Sequence, residues 1–382
     1  AFALPELPVG ITLGALAIEE LTLGAPFLGQ EISLTISGDA ALSNGEGSAN
    51  LLAERLSEKV GRFALNGDYS NESRILGLNL DVQEDAGGIA ATLMELHGRP
   101  SVGLVVNGTA PIDTYAADIA IATDGQDRIA GTFGLTRDAI GQRIALDIGG
   151  DVTLLFAPEY RAFFGDNVSL EVLARTGLGS AFDLENLNLQ SKALTLSGTA
   201  KVGPDGWPQQ ISLRGQIANE DGSVVLLPLT GPKTYVDRAS FNLGFDETVG
   251  PDWSTETTMI GFERPGLRLG ELQFAGVGEI TSGTGDATGQ ITADFQYGAT
   301  GLVLDDIGAA DAFGDALSGQ LQISRTEGEP TQITRLTLDG PGIEVVADAS
   351  ISGASKGLRT QSNMVLTVDA LDRFSTLAGR DL

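Results

Sequence analysis

The run Leu194–Val202, LTLSGTAKV, places Leu194, Leu196, Gly198, Ala200 and Val202 on one parity and Thr195, Ser197, Thr199 and Lys201 on the other. A period of two belongs to a β-strand with one apolar and one wet face. The glycine lies mid-run, on the apolar parity. The same pattern recurs at Leu34, Ile36, Gly38, Ala40 and Leu42, and at Leu104, Val106, Gly108, Ala110 and Ile112. Shorter versions run Leu65, Gly67, Tyr69 and Ile211, Leu213, Gly215, Ile217. A later one reads Leu272, Phe274, Gly276, Gly278, Ile280. A chain that repeats this unit is confined to β architecture.

Strand-like runs recur every 10–14 residues, roughly 25 in all, which is an all-β pattern. The first two are expected at Val9–Leu13 and Leu16–Leu23, broken by Gly14, with a turn at Pro26 and Gly29. Asn44-Gly45 and Asp124-Gly125 are hairpin signals and favour antiparallel neighbours. Residues 48–60 fit a helix face or a strand, and the surrounding rhythm favours strand. Short helices are expected near 89–97, 157–165, 307–317 and 371–378, with Asp369 capping the last. Gly98, Gly165, Gly319 and Gly379 are read as their closing glycines. The chain divides most simply into 1–153 and 154–382, the second segment continuing the first after the helix at 157–165.

Aromatic residues make up only 6% of the chain, too few to fill the core of a large sandwich. So many strands in one sheet also exceed what closes face to face. The expected fold is an elongated, curled, mostly antiparallel sheet, a U-shaped groove with its apolar parity inside. Glycines on that parity would let strands bend inward without crowding. Gly38, Gly67, Gly108, Gly198, Gly215 and Gly276 are the candidates.

Composition removes many functions. Acidic residues number 51 against 23 basic, a formal net charge of −28, which argues against nucleic acid and anionic membrane surfaces as partners. Cysteine is absent, so disulfide and thiolate chemistry are excluded. The single histidine, His97, has no sequence partner for nucleophilic catalysis or a two-histidine metal site. Glu84, Asp85, Asp305 and Asp306 fall outside any calcium-loop pattern. Gly203–Pro208 lacks the Lys-Ser/Thr ending of a phosphate loop. No enzyme, cofactor or metal is expected. Both ends of the sequence look cut, as in a piece of a longer protein.

Several stretches resemble one family. They are Leu4-Pro5-Glu6-Leu7-Pro8-Val9, Leu34-Thr35-Ile36-Ser37-Gly38-Asp39-Ala40 and Gln83-Glu84-Asp85-Ala86-Gly87-Gly88. Asn107-Gly108-Thr109-Ala110-Pro111-Ile112 and Pro158-Glu159-Tyr160-Arg161 with Phe163-Phe164-Gly165 belong with them. In these the chain is similar to the translocation and assembly module subunit TamB family, of the wider AsmA-like group. The likeness is to the middle or N-terminal part of the periplasmic region. It implies a β-taco with a hydrophobic groove, in a Gram-negative periplasm, in a protein anchored in the inner membrane. It also implies phospholipid movement between the two membranes in support of outer-membrane biogenesis. Any partnership with an outer-membrane barrel of the Omp85 type would run through parts outside this sequence.

The residues themselves support the groove and leave its cargo open. Phospholipid acyl chains need only a smooth apolar wall, at about 0.8 kcal/mol per buried CH₂. Leu34, Ile36, Leu104, Val106, Leu194, Leu196, Leu213 and Phe274 are the candidate lining. The alternatives are a scaffold or chaperone for outer-membrane protein assembly, and a surface β-solenoid adhesin with a closed core.

Overall fold

A computed structural model describes residues 2–25, 31–139, 141–177, 179–283, 288–352 and 359–380. The expected turn at Pro26 and Gly29 lies outside them. The described strands number 24, assigned to one open antiparallel sheet with a few short helices, as the period-two pattern predicts. The molecule divides into two units. Unit 1 is Ala1–Leu178 with Glu185–Lys192, and unit 2 is Gly179–Leu184 with Ala193–Leu382.

Unit 1 is an up-and-down meander. Its strands are β1 (Ile11–Leu23), β2 (Ile32–Ser43), β3 (Glu46–Arg55), β4 (Gly61–Ser70) and β5 (Ile75–Glu84). They continue as β6 (Val102–Pro111), β7 (Thr114–Thr123), β8 (Gln126–Arg137), β9 (Gln142–Gly150) and β10 (Val168–Thr176). Each pairs antiparallel with the next. Of residues 48–60, expected as strand, 48–55 are strand and 56–60 form the bend that follows. Asn44-Gly45 and Asp124-Gly125 turn their hairpins with positive φ at both residues (50° and 76°, 51° and 73°), the conformation these residue types accept. The expected break at Gly14 is a register shift within one 13-residue strand, because β2 supplies an unbroken partner.

Between β5 and β6 the chain leaves the sheet as α1 (Ile89–Leu93), which ends at Met94, short of the expected 89–97, so Gly98 (φ 75°) does not close it. Glu84 accepts the N–H groups of Ile89 at 3.0 Å and Ala90 at 2.5 Å, which satisfies two free donors of that helix. Ala91 and Leu96 then pack on Val102, with Leu155 beside them, in the small buried cluster of this unit. Between β9 and β10 come two 3₁₀ turns and α2 (Arg161–Phe164), closed by Gly165 at φ 71°. This excursion at 153–165 joins two directly paired strands.

β11 (Phe182–Gln190) lies mostly in unit 1. Unit 2 contains β12 (Leu194–Val202), β13 (Pro208–Ala218), β14 (Val225–Leu226), β15 (Tyr235–Val236), β16 (Arg238–Asp246) and β17 (Asp252–Arg264). Then follow β18 (Leu267–Thr281), β19 (Gln290–Thr300), β20 (Val303–Leu304), β21 (Ala316–Thr326), β22 (Thr331–Gly340), β23 (Ile343–Ser352) and β24 (Arg359–Val368). The long strands pair in the order β12–β13–β16–β17–β18–β19–β21–β22–β23–β24. The short β15 and β20 add to β17 and β18 beyond the ends of β16 and β19.

Two helix expectations are corrected in unit 2. α3 (Ile307–Phe313) stops at Gly314, φ 71°, and Ala316-Leu317 already begins β21. Gly319 is therefore a strand residue and closes no helix. The last helical segment, a 3₁₀ turn at Leu371–Phe374 running into α4 (Ser375–Ala378), starts after Ala370 without a side-chain cap, so Asp369 does not cap it. Gly379 does end it, in the left-handed conformation at φ 65°.

Candidate functional site

Register turns the parities into surfaces. In unit 1 one transverse row reads Gly38, Leu51, Leu65, Leu80, Val106, Ile119, Gly131, Ile148, Leu170. It crosses nine strands without a polar side chain. The neighbouring row on the same face is Ile36, Ala53, Phe63, Val82, Leu104, Ile121, Ile129. Eight strand intervals at ~4.8 Å make the longer row about 38 Å across. Directly behind it, on the opposite face, runs Asp39, Asn50, Asn66, Asn79, Asn107, Asp118, Thr132, Asp147, Glu171. Asn50 donates to Asp39 at 3.0 Å in this polar ladder. A one-residue slip would exchange the two rows, so the register is strongly fixed.

The apolar face is not closed. Leu51, Leu65, Leu80, Val106 and Ile119 are all half-buried. The accessible surface of the chain is 21905 Å², against about 14,300 Å² for a compact monomer of this mass. At one place unit 1 gives the floor a roof. α1 lies over it, and Leu34, Phe63, Val82, Leu104, Ile89 and Leu93 line a cleft of about 350 Å³. Arg62 and Glu84 are the charged residues at this cleft. That volume is in the range of small-molecule sites.

Unit 2 builds its floor differently. Its main row is Leu196, Gly215, Phe241, Thr257, Phe274, Tyr297, Gly319, Leu338, Val345, Leu366. The next is Gly198, Leu213, Leu243, Thr255, Gly276, Phe295, Leu321, Leu336, Ala347, Met364. β17 interrupts both with threonine. Aromatic rings lie over the glycines of adjacent strands. A Cβ on Gly215 would meet the Phe241 ring at 2.1 Å, and one on Gly276 the Phe295 ring at 2.4 Å. The Tyr297 hydroxyl reaches past Gly319 to donate to Thr337 O at 2.6 Å, and the Trp253 indole reaches past Gly278 to Thr292 O at 2.9 Å. Phe274 and Phe295 stack at 4.8 Å. Burial pushes the Tyr297 hydroxyl above the ordinary tyrosine value.

All eight candidate lining residues are half-buried: Leu34, Ile36, Leu104 and Val106 in unit 1, Leu194, Leu196, Leu213 and Phe274 in unit 2. Leu34 and Leu104 meet in the roofed cleft. The glycines divide into three groups. Gly38, Gly108 and Gly198 press on the neighbouring strand, where a Cβ would lie 2.5 Å from a carbonyl oxygen. Gly215 and Gly276 seat aromatic rings. Gly67 does neither, since its nearest neighbour would be Gly77 O at an ordinary 3.7 Å. Gly131, Gly278 and Gly319 are not among the candidate bend glycines (Gly319 is expected as a helix end), yet a Cβ at each would come within 1.9–2.1 Å of a carbonyl oxygen.

Three of the four carboxylates noted in the sequence, Glu84, Asp85 and Asp306, bond backbone. Glu84 holds α1, Asp85 accepts from Val60 N at 2.7 Å, and Asp306 caps α3 through Ala309 N at 2.7 Å. His97 is exposed. Among the described residues no group of three or more metal-ligating side chains converges, and no helix is long and apolar enough to cross a membrane. The chain matches no family model, no characterised protein and no solved structure.

Proposed function

We propose that this chain binds the acyl chains of phospholipids along its apolar floor and passes them between membranes, as a periplasmic lipid-transfer element of the TamB type. The observation that carries the reading is the row Gly38–Leu170, which presents only aliphatic side chains and glycine across nine strands. An acyl chain spans about half of a ~30 Å hydrocarbon core, so it covers about three strands of this row. At about 0.8 kcal/mol per buried CH₂, micromolar retention, about 8 kcal/mol, takes about ten buried methylenes, most of one acyl chain. A row without polar interruptions has no preferred stopping point, which suits a conduit better than a tight store. The roof at α1 supplies one enclosed position. The floor makes no covalent chemistry, and the reading requires none.

A second reading, capture of outer-membrane protein strands, has the sheet edges in its favour. Among the described residues β24 pairs only with β23, its apolar Met364, Val365 and Leu366 are exposed, and an unpaired edge accepts an added strand. Organic extraction of the purified chain followed by mass spectrometry separates the two. Phospholipid recovered in stoichiometric amount supports the first reading. A lipid-free chain that protects an unfolded barrel protein from aggregation supports the second.

A further inference from the structure

Unit 2 has a concavity of about 400 Å³ that the floor does not explain. It lies around the β17–β18 hairpin, and its lining includes Lys233, Tyr235, Arg264 and Arg268, with Glu263 and Asp305. Register places Tyr235 beside Glu263, Glu263 opposite Arg268 and Arg268 opposite Val303. Three cations against two carboxylates make this a net positive spot in a chain of net charge −28. Among the described residues the ion pairs engage Arg62, Arg74, Arg128, Arg143 and Arg175, and none engages Lys233, Arg264 or Arg268.

The position of the dish gives it meaning. Counting by twos along β18, Arg268 is followed by Gly270, Leu272 and Phe274, and the last two belong to the floor. Gly270 donates to Gly301 O at 3.2 Å, and Gly261 in β17 and Gly301 between β19 and β20 both have φ 65°. The apolar file thus ends at a glycine seam with the Arg268 guanidinium beyond it, and Arg264, at the end of β17 on the other parity, lines the same concavity. A phosphate accepts hydrogen bonds from several such donors, and Arg264 and Arg268 offer fork-shaped pairs.

We propose that Lys233, Arg264 and Arg268 bind a phosphate group, that of a phospholipid whose acyl chains rest on Leu272 and Phe274. The acyl part rests on the proposed function; the anion site does not. The test is calorimetry on the full chain with three probes: dihexanoylphosphatidylglycerol below its micellar concentration, dihexanoylglycerol, and glycerol phosphate. The phospholipid should bind best, and Arg264→Gln with Arg268→Gln should weaken it at least tenfold. Dihexanoylglycerol should bind more weakly and equally to both proteins. Unchanged phospholipid affinity in the double variant overturns the anion site. Glycerol phosphate binding as tightly as the phospholipid keeps the anion site and assigns it to free phosphate esters, overturning the lipid assignment. If dihexanoylglycerol fails to bind either protein while the phospholipid effect persists, the acyl reading fails and the anion site stands.

Discussion

The two units use one sequence unit for two kinds of surface. In unit 1 the two central rows carry no polar side chain and are aliphatic apart from Phe63, and the Tyr115 hydroxyl lies over Gly108. In unit 2 the same parity is aromatic, crossed by Thr255 and Thr257, and several of its glycines are covered by rings. The ion pairs follow the same division: all those among the described residues lie in unit 1. The comparison teaches that glycine on an apolar parity is not one device. It permits close approach of strands at Gly38 and Gly198, and it seats a ring at Gly215 and Gly276. A rigid aromatic mosaic holds its shape, whereas an aliphatic row offers a ligand the same contact at each strand.

The largest expected effect contrasts the two glycine roles with a position that has neither. Gly198→Val drives a branched side chain into Ser212 O and Leu213, and should cost about 3 kcal/mol. Gly276→Ala, which displaces a ring edge and no backbone, should cost about 1–2 kcal/mol. Denaturant titration reads both, and equal stability of the three proteins would remove the distinction. The second effect is on ligand. Val106→Arg puts a charge into the unbroken row and removes contact with about three methylenes, at about 0.8 kcal/mol each. Loading of an apolar fluorescent probe into unit 1 should fall on the order of thirtyfold or more. Leu196→Arg, in the row that Thr257 already interrupts, should reduce loading by less than half as much on a logarithmic scale.

Acid should act more on unit 1, which has two lowered carboxyls, than on unit 2, where bonds from Thr248, then Gln210, hold Asp246 below the ordinary aspartate value. The Thr153 hydroxyl and N–H, then Arg128, hold the Asp151 carboxyl below the ordinary aspartate value. Burial pushes Glu185 up, and its bonds from Arg143 and Arg175 more than reverse this, leaving it lowered. Depressed carboxyls contribute stability above their unfolded values, near pH 4, and lose it as the pH falls through the folded ones. Hydrogen exchange between pH 5 and 2.5 should show unit 1 opening before unit 2. Asp151→Asn should remove part of that dependence, and an unchanged order of opening would contradict it. The smallest effect is at Gly67→Ala. The site has room, and the lost backbone freedom of the unfolded chain should stabilise by about 0.5 kcal/mol.

Much of this was legible locally. Period-two alternation marked the strands, Asn44-Gly45 and Asp124-Gly125 marked their turns, and Gly165 and Gly379 marked helix ends. What was not legible depends on which strand lies beside which. Asn50, Asn66, Asn79 and Asn107 are scattered in sequence and form a ladder only once three registers are fixed. Phe295 sits beside Gly276 for the same non-local reason, and no local signal points to it. The misplaced helix end at Gly319 has a local cause. Ile307, Ala310 and Phe313 have helical spacing, and Leu317 extends that spacing by chance into a strand held by β19. The roofed cleft joins Leu34 to Leu104 through four intervening strand pairings, which no spacing rule predicts.

The central claim is that the unbroken row of unit 1 carries acyl chains. Its most direct test is crosslinking with a phospholipid bearing a photoactivatable group at the end of an acyl chain, followed by peptide mapping. Labels should fall on Leu51, Leu65, Leu80, Val106 and Ile119, and vanish with Val106→Arg at the nearest strands. Labels on Asn50, Asn66, Asn79 and Asn107 instead, or spread equally over both faces, would contradict the account.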